Sequence, residues 1–223
     1  MLSKPVCRHI LLNIARNWTI SRHIALPMVT TTRIQYLQQR IARFDDQQAY
    51  KELFTALYSA LCPFARSIVK AKEPAEEIVS DVFIKVWEKR KELDKIKNLK
   101  VYLYVAIRNI AFNYLDKQKR TATSHLEDFH TEFTSVYFDP EQLLITADML
   151  ALIQKAIDNL PPKCKMIFKL AKEEGFKYRE VAEILDISVK TVENQLAIAL
   201  CKIGNAVSFD IKRTISSPLG HHR

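Results

Sequence analysis

The sequence predicts an all-α fold: two small helical domains joined by a flexible acidic linker, the C-terminal one a helix-turn-helix. Three observations predict it. Glycine occurs only three times in 223 residues, and no Asn-Gly or Asp-Gly pair is present to turn a tight hairpin. Apolar residues recur at spacings of three and four through most of the chain, the period of an amphipathic helix. Charge is segregated: residues 28–120 hold 18 basic and 11 acidic side chains, residues 121–154 none and 6, and residues 155–223 12 and 8, so two basic blocks flank an acidic connector. With 48% hydrophobic and 26% charged residues, the chain has enough apolar side chains for a core in each block.

The first helix read from the pattern lies between Asp45 and Val69, where Leu53, Phe54, Leu57, Leu61, Phe64, Ala65 and Ile68 form one stripe, with a bend expected at Pro63. A second opens at Pro74, with Glu73, Glu76 and Glu77 near the positive end of its dipole. Its inner stripe is Ile78, Val79, Val82, Phe83, Val86 and Trp87, and its outer face is Glu77, Ser80, Asp81, Lys85 and Glu88. After the charged stretch 89–97, Asn98 caps a third helix running to about Lys119, with Leu103, Ile107, Ile110, Ala111 and Tyr114 inward. Residues 28–120 make the first domain. Residues 121–140, rich in Thr, Ser, acids and aromatics and ending at Asp139-Pro140, read as the linker.

The second domain, 141–206, starts with the apolar run Leu143 to Ile157 and breaks at Pro161. A further helix from Lys163 to Glu174 is stopped by Gly175, which suits a left-handed cap. Two more follow, Tyr178–Leu185 and Ser188–Ile203, and together they read as a helix-turn-helix. Val181, Ala182 and Leu185 line the first, Ile187 plugs the turn and Ser188 caps the second. Its inward positions are Val192, Leu196, Ala199, Leu200 and Ile203. Lys190, Thr191 and Asn194 fall on the outward face near its start, with Glu193 and Gln195 beside them, side chains able to reach base edges or phosphates in a major groove.

The helix-turn-helix resembles region four of sigma factors and equally the output domain of LuxR/FixJ-type regulators; the first domain separates the two. Ala75–Trp87 is similar to the helix of sigma region two that docks on the clamp helices of the polymerase largest subunit, with Ser80 where the family often has Gln. Tyr102–Arg120 resembles the family's promoter-melting helix, with the pair Arg108-Asn109, Asn113 where Asp is frequent, and a basic end. The physics agrees: holding an unstacked strand takes aromatic platforms such as Tyr102 or Tyr104 beside cations for phosphate such as Lys100, Arg108, Lys117, Lys119 and Arg120. The order and spacing of these motifs over residues 45–205 identify the chain as similar to the short, extracytoplasmic-function (ECF) members of the sigma-70 family.

That resemblance implies a residue map. Ser80, Asp81, Ile84, Lys85 and Glu88 would meet the polymerase. Asn98, Lys100, Tyr102, Tyr104, Arg108, Asn109, Asn113, Lys117, Lys119 and Arg120 would read and melt the minus-ten element. Arg179, Ser188, Lys190, Thr191, Glu193, Asn194 and Gln195 would meet the minus-thirty-five element. The partners implied are core RNA polymerase, through its largest and beta subunits, promoter DNA, and an anti-sigma factor. A twenty-residue connector reaches about 66 Å at ~3.3 Å per residue, close to two turns of B-DNA at ~34 Å each. It would let the two domains touch separate promoter elements.

Other classes fit less well. A stand-alone LuxR/FixJ-type regulator would not need the Tyr- and Lys-rich segment 97–120. An enzyme would need a nucleophile with its base, a phosphate-binding Gly loop or a metal-ligand cluster, and the sequence offers none, so no cofactor or metal is expected. The four cysteines are scattered and read as reduced thiols in a cytoplasmic protein. Residues 1–27 carry four basic side chains, no acid, and only the short apolar run Ile10–Leu12, too short for a membrane span. They are either an extension or a mis-called start ahead of Met28. The tail, 207–223, carries no motif.

Overall fold

The computed structural model describes residues 30–121 and 144–216, with side chains at 30–118 and 151–206. Among these residues every regular element is helical. In chain order they are α1 (Thr31–Phe44), α2 (Gln47–Val69), α3 (Lys72–Glu88), a 3₁₀ turn (Arg90–Lys95), α4 (Leu99–Thr121), α5 (Leu144–Asp158), α6 (Pro162–Phe168), α7 (Tyr178–Leu185) and α8 (Val189–Ser216). They gather into two compact units: α1–α4 with residues 177–188, which include α7, and α5, α6 and α8. Of the predicted linker only Thr121 is described, as the last residue of α4; the rest of it, the N-terminal extension and the end of the tail fall outside the described residues.

α1 is an element the sequence reading passed over. Thr30 accepts a hydrogen bond from the Arg33 N–H at 3.2 Å, and Ile34, Leu37, Gln38 and Ile41 then fall on one buried face. The buried Gln38 carries its own compensation, donating from Nε2 to the carbonyls of Leu93 and, at 2.8 Å, Ile96, which fastens the 3₁₀ turn to α1. The chain reverses at Asp45, left-handed at φ 52°, and Asp46 caps α2 by accepting from the Gln48 and Ala49 N–H groups. Those bonds and Arg40 hold the Asp46 carboxyl below the usual carboxylate range.

α2 runs unbroken through Pro63 and is the central helix of its unit, packed on α1, α3 and α4. Its inward side chains Leu53, Leu57, Leu61, Phe64, Ala65 and Ile68 match the predicted stripe, and Phe54 is half-buried. α3 begins at Lys72, two residues before Pro74, which therefore sits in its first turn as the fixed φ of proline allows. Ile78, Val79, Val82, Phe83 and Val86 are buried as expected; Trp87 is half-buried, with the Arg90 guanidinium over its ring at 4.7 Å.

In the smaller unit, α5 and α6 each pack on α8. The helix expected over 163–174 divides: α6 ends at Phe168 and one π turn, Lys169–Glu173, follows before Gly175 at φ 73°. No neighbouring atom lies where a Cβ on Gly175 would sit, so the left-handed backbone alone requires glycine there. Lys165 is 2% exposed, its Nζ 3.0 Å from Asp158 Oδ1 and donating to the Asp158 carbonyl at 2.9 Å. Gln154 donates to the other Asp158 oxygen at 3.1 Å. A buried ammonium without such partners would be strongly unfavourable.

Candidate functional site

α3 presents its outward residues as a flat face. Asp81, Ile84, Lys85 and Glu88 are exposed and Ser80 is half-buried, its hydroxyl donating to the Glu76 carbonyl at 2.8 Å, one turn back. Ile84 is 54% exposed, an apolar residue among charges at the centre of that face. Behind it the helix is fixed by aromatic packing: Tyr50 stacks obliquely on Trp87 at 4.9 Å, Phe54 meets Phe83 edge-on at 4.9 Å, and the Tyr50 hydroxyl donates to the Phe83 carbonyl at 2.8 Å. Partial burial pushes the Tyr50 phenol up from its ordinary value, so it remains a donor.

α4 sorts its aromatics by helical phase. Asn98 caps it, accepting from the Val101 N–H at 3.2 Å. Leu99, Val101, Leu103, Tyr104, Ile107 and Ala111 are buried, while Tyr102 and Phe112 remain 42% and 49% exposed. Tyr104 corrects the sequence reading: it is fully buried, ring to ring with Phe64 at 4.8 Å, so it belongs to the core and cannot stack on an unpaired base. Ile110 and Tyr114, expected inside, are half-buried. Tyr102, Asn109, Phe112, Asn113 and Lys117 are exposed, and Arg108 is half-buried. The backbone of α4 carries on through Lys119 and Arg120, whose side chains lie outside the described ones.

Arg108 is only 15% exposed in its side chain. Its Nε and Nη2 donate to Asn109 Oδ1 at 3.2 and 2.9 Å, Nη1 donates to the Ile184 carbonyl at 3.4 Å, and Nη2 lies 3.7 Å from Asp186 Oδ2. Arg108, Asn109, Phe112 and Asn113 line an open groove of about 570 Å³ with Leu185 and Asp186. Phe112 was absent from the sequence reading. Its position three and four residues after Asn109 and Arg108 was the available signal.

α7 spans the residues predicted, but its inward set differs: Val181, Ala182 and Ile184 are buried, and Leu185 is half-buried. Arg179 and Ser188 are exposed. After the left-handed Asp186 and the half-buried Ile187, α8 starts at Val189. Its buried stripe is Val192, Leu196, Ala199 and Ile203, with Leu200 half-buried. Lys190, Glu193 and Asn194 are exposed, Thr191 and Gln195 half-buried, and Lys190 pairs with Glu193 at 3.7 Å. The Gln195 carbonyl accepts from the buried Cys164 thiol at 3.2 Å, anchoring the start of α8 to α6.

Among the described residues no group of three or more His, Cys, Asp or Glu side chains could hold a metal ion, and Cys62, Cys164 and Cys201 are free. No described helix is long and apolar enough to cross a membrane.

Two family models match the chain, Sigma-70 region 2 over residues 53–121 and Sigma-70, region 4 over residues 150–202, together more than half of it. The chain belongs to the sigma-70 family. Among curated relatives, the ECF RNA polymerase sigma-E factor of Escherichia coli (strain K12) is 26% identical over 186 residues, covering 80% of this chain and 96% of that protein. The same-named factor of Haemophilus influenzae is 25% identical over 182 residues, covering 78% and 94%. A solved structure of the sigma factor RpoE in complex with the anti-sigma factor NepR, from Bartonella quintana, superposes with a TM-score of 0.53 at 21% identity, over 73% of this chain and 99% of that one, and shows the same helical fold. This sigma factor is of the ECF kind, binds core RNA polymerase and directs promoter-specific transcription initiation. Residues 177–188 fall within the region 4 match, although they pack in the unit that region 2 builds.

Proposed function

We propose that the work of this sigma factor is divided among three faces. The outward side of α3 docks on the largest subunit of core polymerase through Ser80, Asp81, Ile84, Lys85 and Glu88. The solvent side of α4 reads and melts the minus-ten element: Tyr102 and Phe112 offer ring faces to unstacked bases, Asn98, Asn109 and Asn113 offer hydrogen bonds, and Lys100, Arg108, Lys117, Lys119 and Arg120 meet phosphates. The start of α8, with Arg179 and Ser188, enters the major groove of the minus-thirty-five element through Lys190, Thr191, Glu193, Asn194 and Gln195. The region 4 domain also meets the beta subunit.

The observation that carries this reading is the sorting of α4, where Tyr102 and Phe112 stand exposed on the side of Arg108, Asn109 and Asn113 while Tyr104 goes to the core. A helix needed only for packing has no reason to keep two large aromatics wet beside a cation. The protein performs no catalysis of its own; it acts in the cytoplasm, where core polymerase is, and an anti-sigma factor covers its faces when it is idle, in keeping with the Bartonella relative bound to one.

Run-off transcription with purified core polymerase and a library of promoter fragments tests the whole reading. Defined transcripts that need this protein, vanish with Asp81→Arg and weaken with Lys190→Ala are expected. Duplex binding without any initiation would instead favour a stand-alone regulator.

A further inference from the structure

We propose that Gln38 on α1 is a positioning residue for the minus-ten contact: buried away from both DNA and polymerase, it sets where the segment entering α4 stands. The proposal rests on the reading of α4 given above. Gln38, the 3₁₀ turn and α4 lie in the same compact unit.

Gln38 is 5% exposed, a polar residue on a buried α1 face otherwise made of Ile34, Leu37 and Ile41. An apolar side chain there would enter the core without the desolvation cost of an amide, so the amide has another reason to be present. Its Nε2 supplies that reason by donating to the carbonyls of Leu93 and, at 2.8 Å, Ile96. The first lies within the 3₁₀ turn Arg90–Lys95 and the second just past its end. That turn has little apolar grip of its own. Leu93 is its buried side chain, while Lys91, Glu92, Asp94 and Lys95 are exposed. A second tie to α1, the Arg43–Asp94 pair at 3.1 Å, lies at the surface, where such pairs are weak. The buried amide therefore does most to fix the register of the turn on α1.

What the amide holds leads straight into the side chains assigned to DNA. Only Lys97 stands between the held Ile96 and Asn98, the cap of α4. Lys95 and Lys97 flank Ile96 and are exposed, two cations whose reach toward a phosphate backbone depends on where that carbonyl is pinned. Contacts to an opened strand form during the opening step, so losing the register of residues 95–98 slows that step. The α3 face is fixed by its own aromatic cluster and does not depend on Gln38. Promoter opening and polymerase binding should thus respond differently to the same substitution.

The test uses the full chain, purified core polymerase and a promoter fragment taken from the run-off library. The rate of opening is followed by permanganate footprinting, core affinity by titration, and hydrogen exchange of the free protein in parallel. Gln38→Met keeps the length and removes the donor. Gln38→Glu keeps the shape but turns acceptor oxygens toward two carbonyls. Ile41→Val trims the same buried face and leaves both bonds in place, which matches a general loss of packing. Gln38→Met should slow opening about tenfold, with core affinity unchanged and faster exchange across residues 93–98. Ile41→Val should do neither. Gln38→Glu should be as slow at about pH 8 and regain part of its rate at about pH 6, where its carboxyl, pushed up by burial, is protonated and donates again. Ionisable groups on α1 and the turn, such as Arg43, Asp94 and Lys95, are common to every variant, so each rate is read against wild type at the same pH. Equal slowing by Ile41→Val, a matching loss of core affinity, or faster exchange with unchanged opening would overturn the proposal. If Gln38→Met does not fold, Gln38→Glu still decides, since a rate that ignores pH sinks the idea. Tyr102→Ala separates the two readings: unchanged opening there means the assignment of α4 fails, while the exchange data still judge the hold of Gln38 on the turn.

Discussion

On α3 the side chains assigned to polymerase face solvent, and the contacts that hold the helix in register lie behind them, in the cluster of Tyr50, Phe54, Phe83 and Trp87. On α4 the side chains assigned to DNA are partly engaged already: Arg108 with Asn109, Ile184 and Asp186, and Asn98 with Glu180. One face is exposed except at Ser80, whose hydroxyl is tied to the Glu76 carbonyl one turn back, and it stands pre-formed for a protein partner. The other has polar side chains already engaged within the chain, and a ligand that used them would have to replace those contacts.

Five substitutions would break or sharpen that contrast. The largest effect is expected where the pre-formed face is anchored: Phe83→Ala, at a site 1% exposed between two aromatic rings, should cost about 3–5 kcal/mol of stability, seen as a lowered urea midpoint. The aromatic pair on α4 should split in the same assay. Tyr104→Ala should lose a similar ~3–5 kcal/mol, whereas Tyr102→Ala, at the surface, should stay within about 0.5 kcal/mol and yet lower promoter opening, read by permanganate footprinting with core polymerase. Asp81→Arg should leave the urea midpoint unchanged and weaken core polymerase at least ~10-fold by titration, about 1.4 kcal/mol. If it instead unfolds the protein, the face is not the free surface described. Smallest, Lys190→Ala should weaken duplex binding a few-fold and lower the salt slope by about one unit, with no change in melting of the oligonucleotide-free protein.

The smaller unit allows a separate check on its core. Lys165 and Asp158 form a mostly buried pair, so Asp158→Ala, which removes the counter-charge and leaves the ammonium its bond to the residue-158 carbonyl, should destabilise by about 2–3 kcal/mol, while Lys165→Met should be close to neutral. Thermal melts of the two variants side by side decide it.

Most helix interiors were legible because each needed only a local period. The stripes of α2 and α3 and the span of α7 follow from spacing alone, and two ends are marked by chemistry that acts within a turn, the capping side chain of Asn98 and the left-handed backbone of Gly175. α1 carried an equally plain signal, Thr30 before Ile34, Leu37 and Ile41, but its buried fourth position is Gln38, a polar residue whose partners at Leu93 and Ile96 lie more than fifty residues away.

The site divides along the same line. Composition, charge segregation and the motifs of α3, α4 and the helix-turn-helix determined the fold class and the family, since periodicity and motif order are properties of the chain itself. Only the tertiary structure decided between Tyr102 and Tyr104, which stand two residues apart on α4. Helical phase puts roughly 200° between them, but which of the two meets the core depends on where Phe64 stands. It likewise decided that Leu185 lines the α4 groove while Ile184 fills the core, and that Arg108 faces the end of α7. Those contacts join positions about eighty residues apart, and no local pattern encodes which distant surface a polar side chain will find.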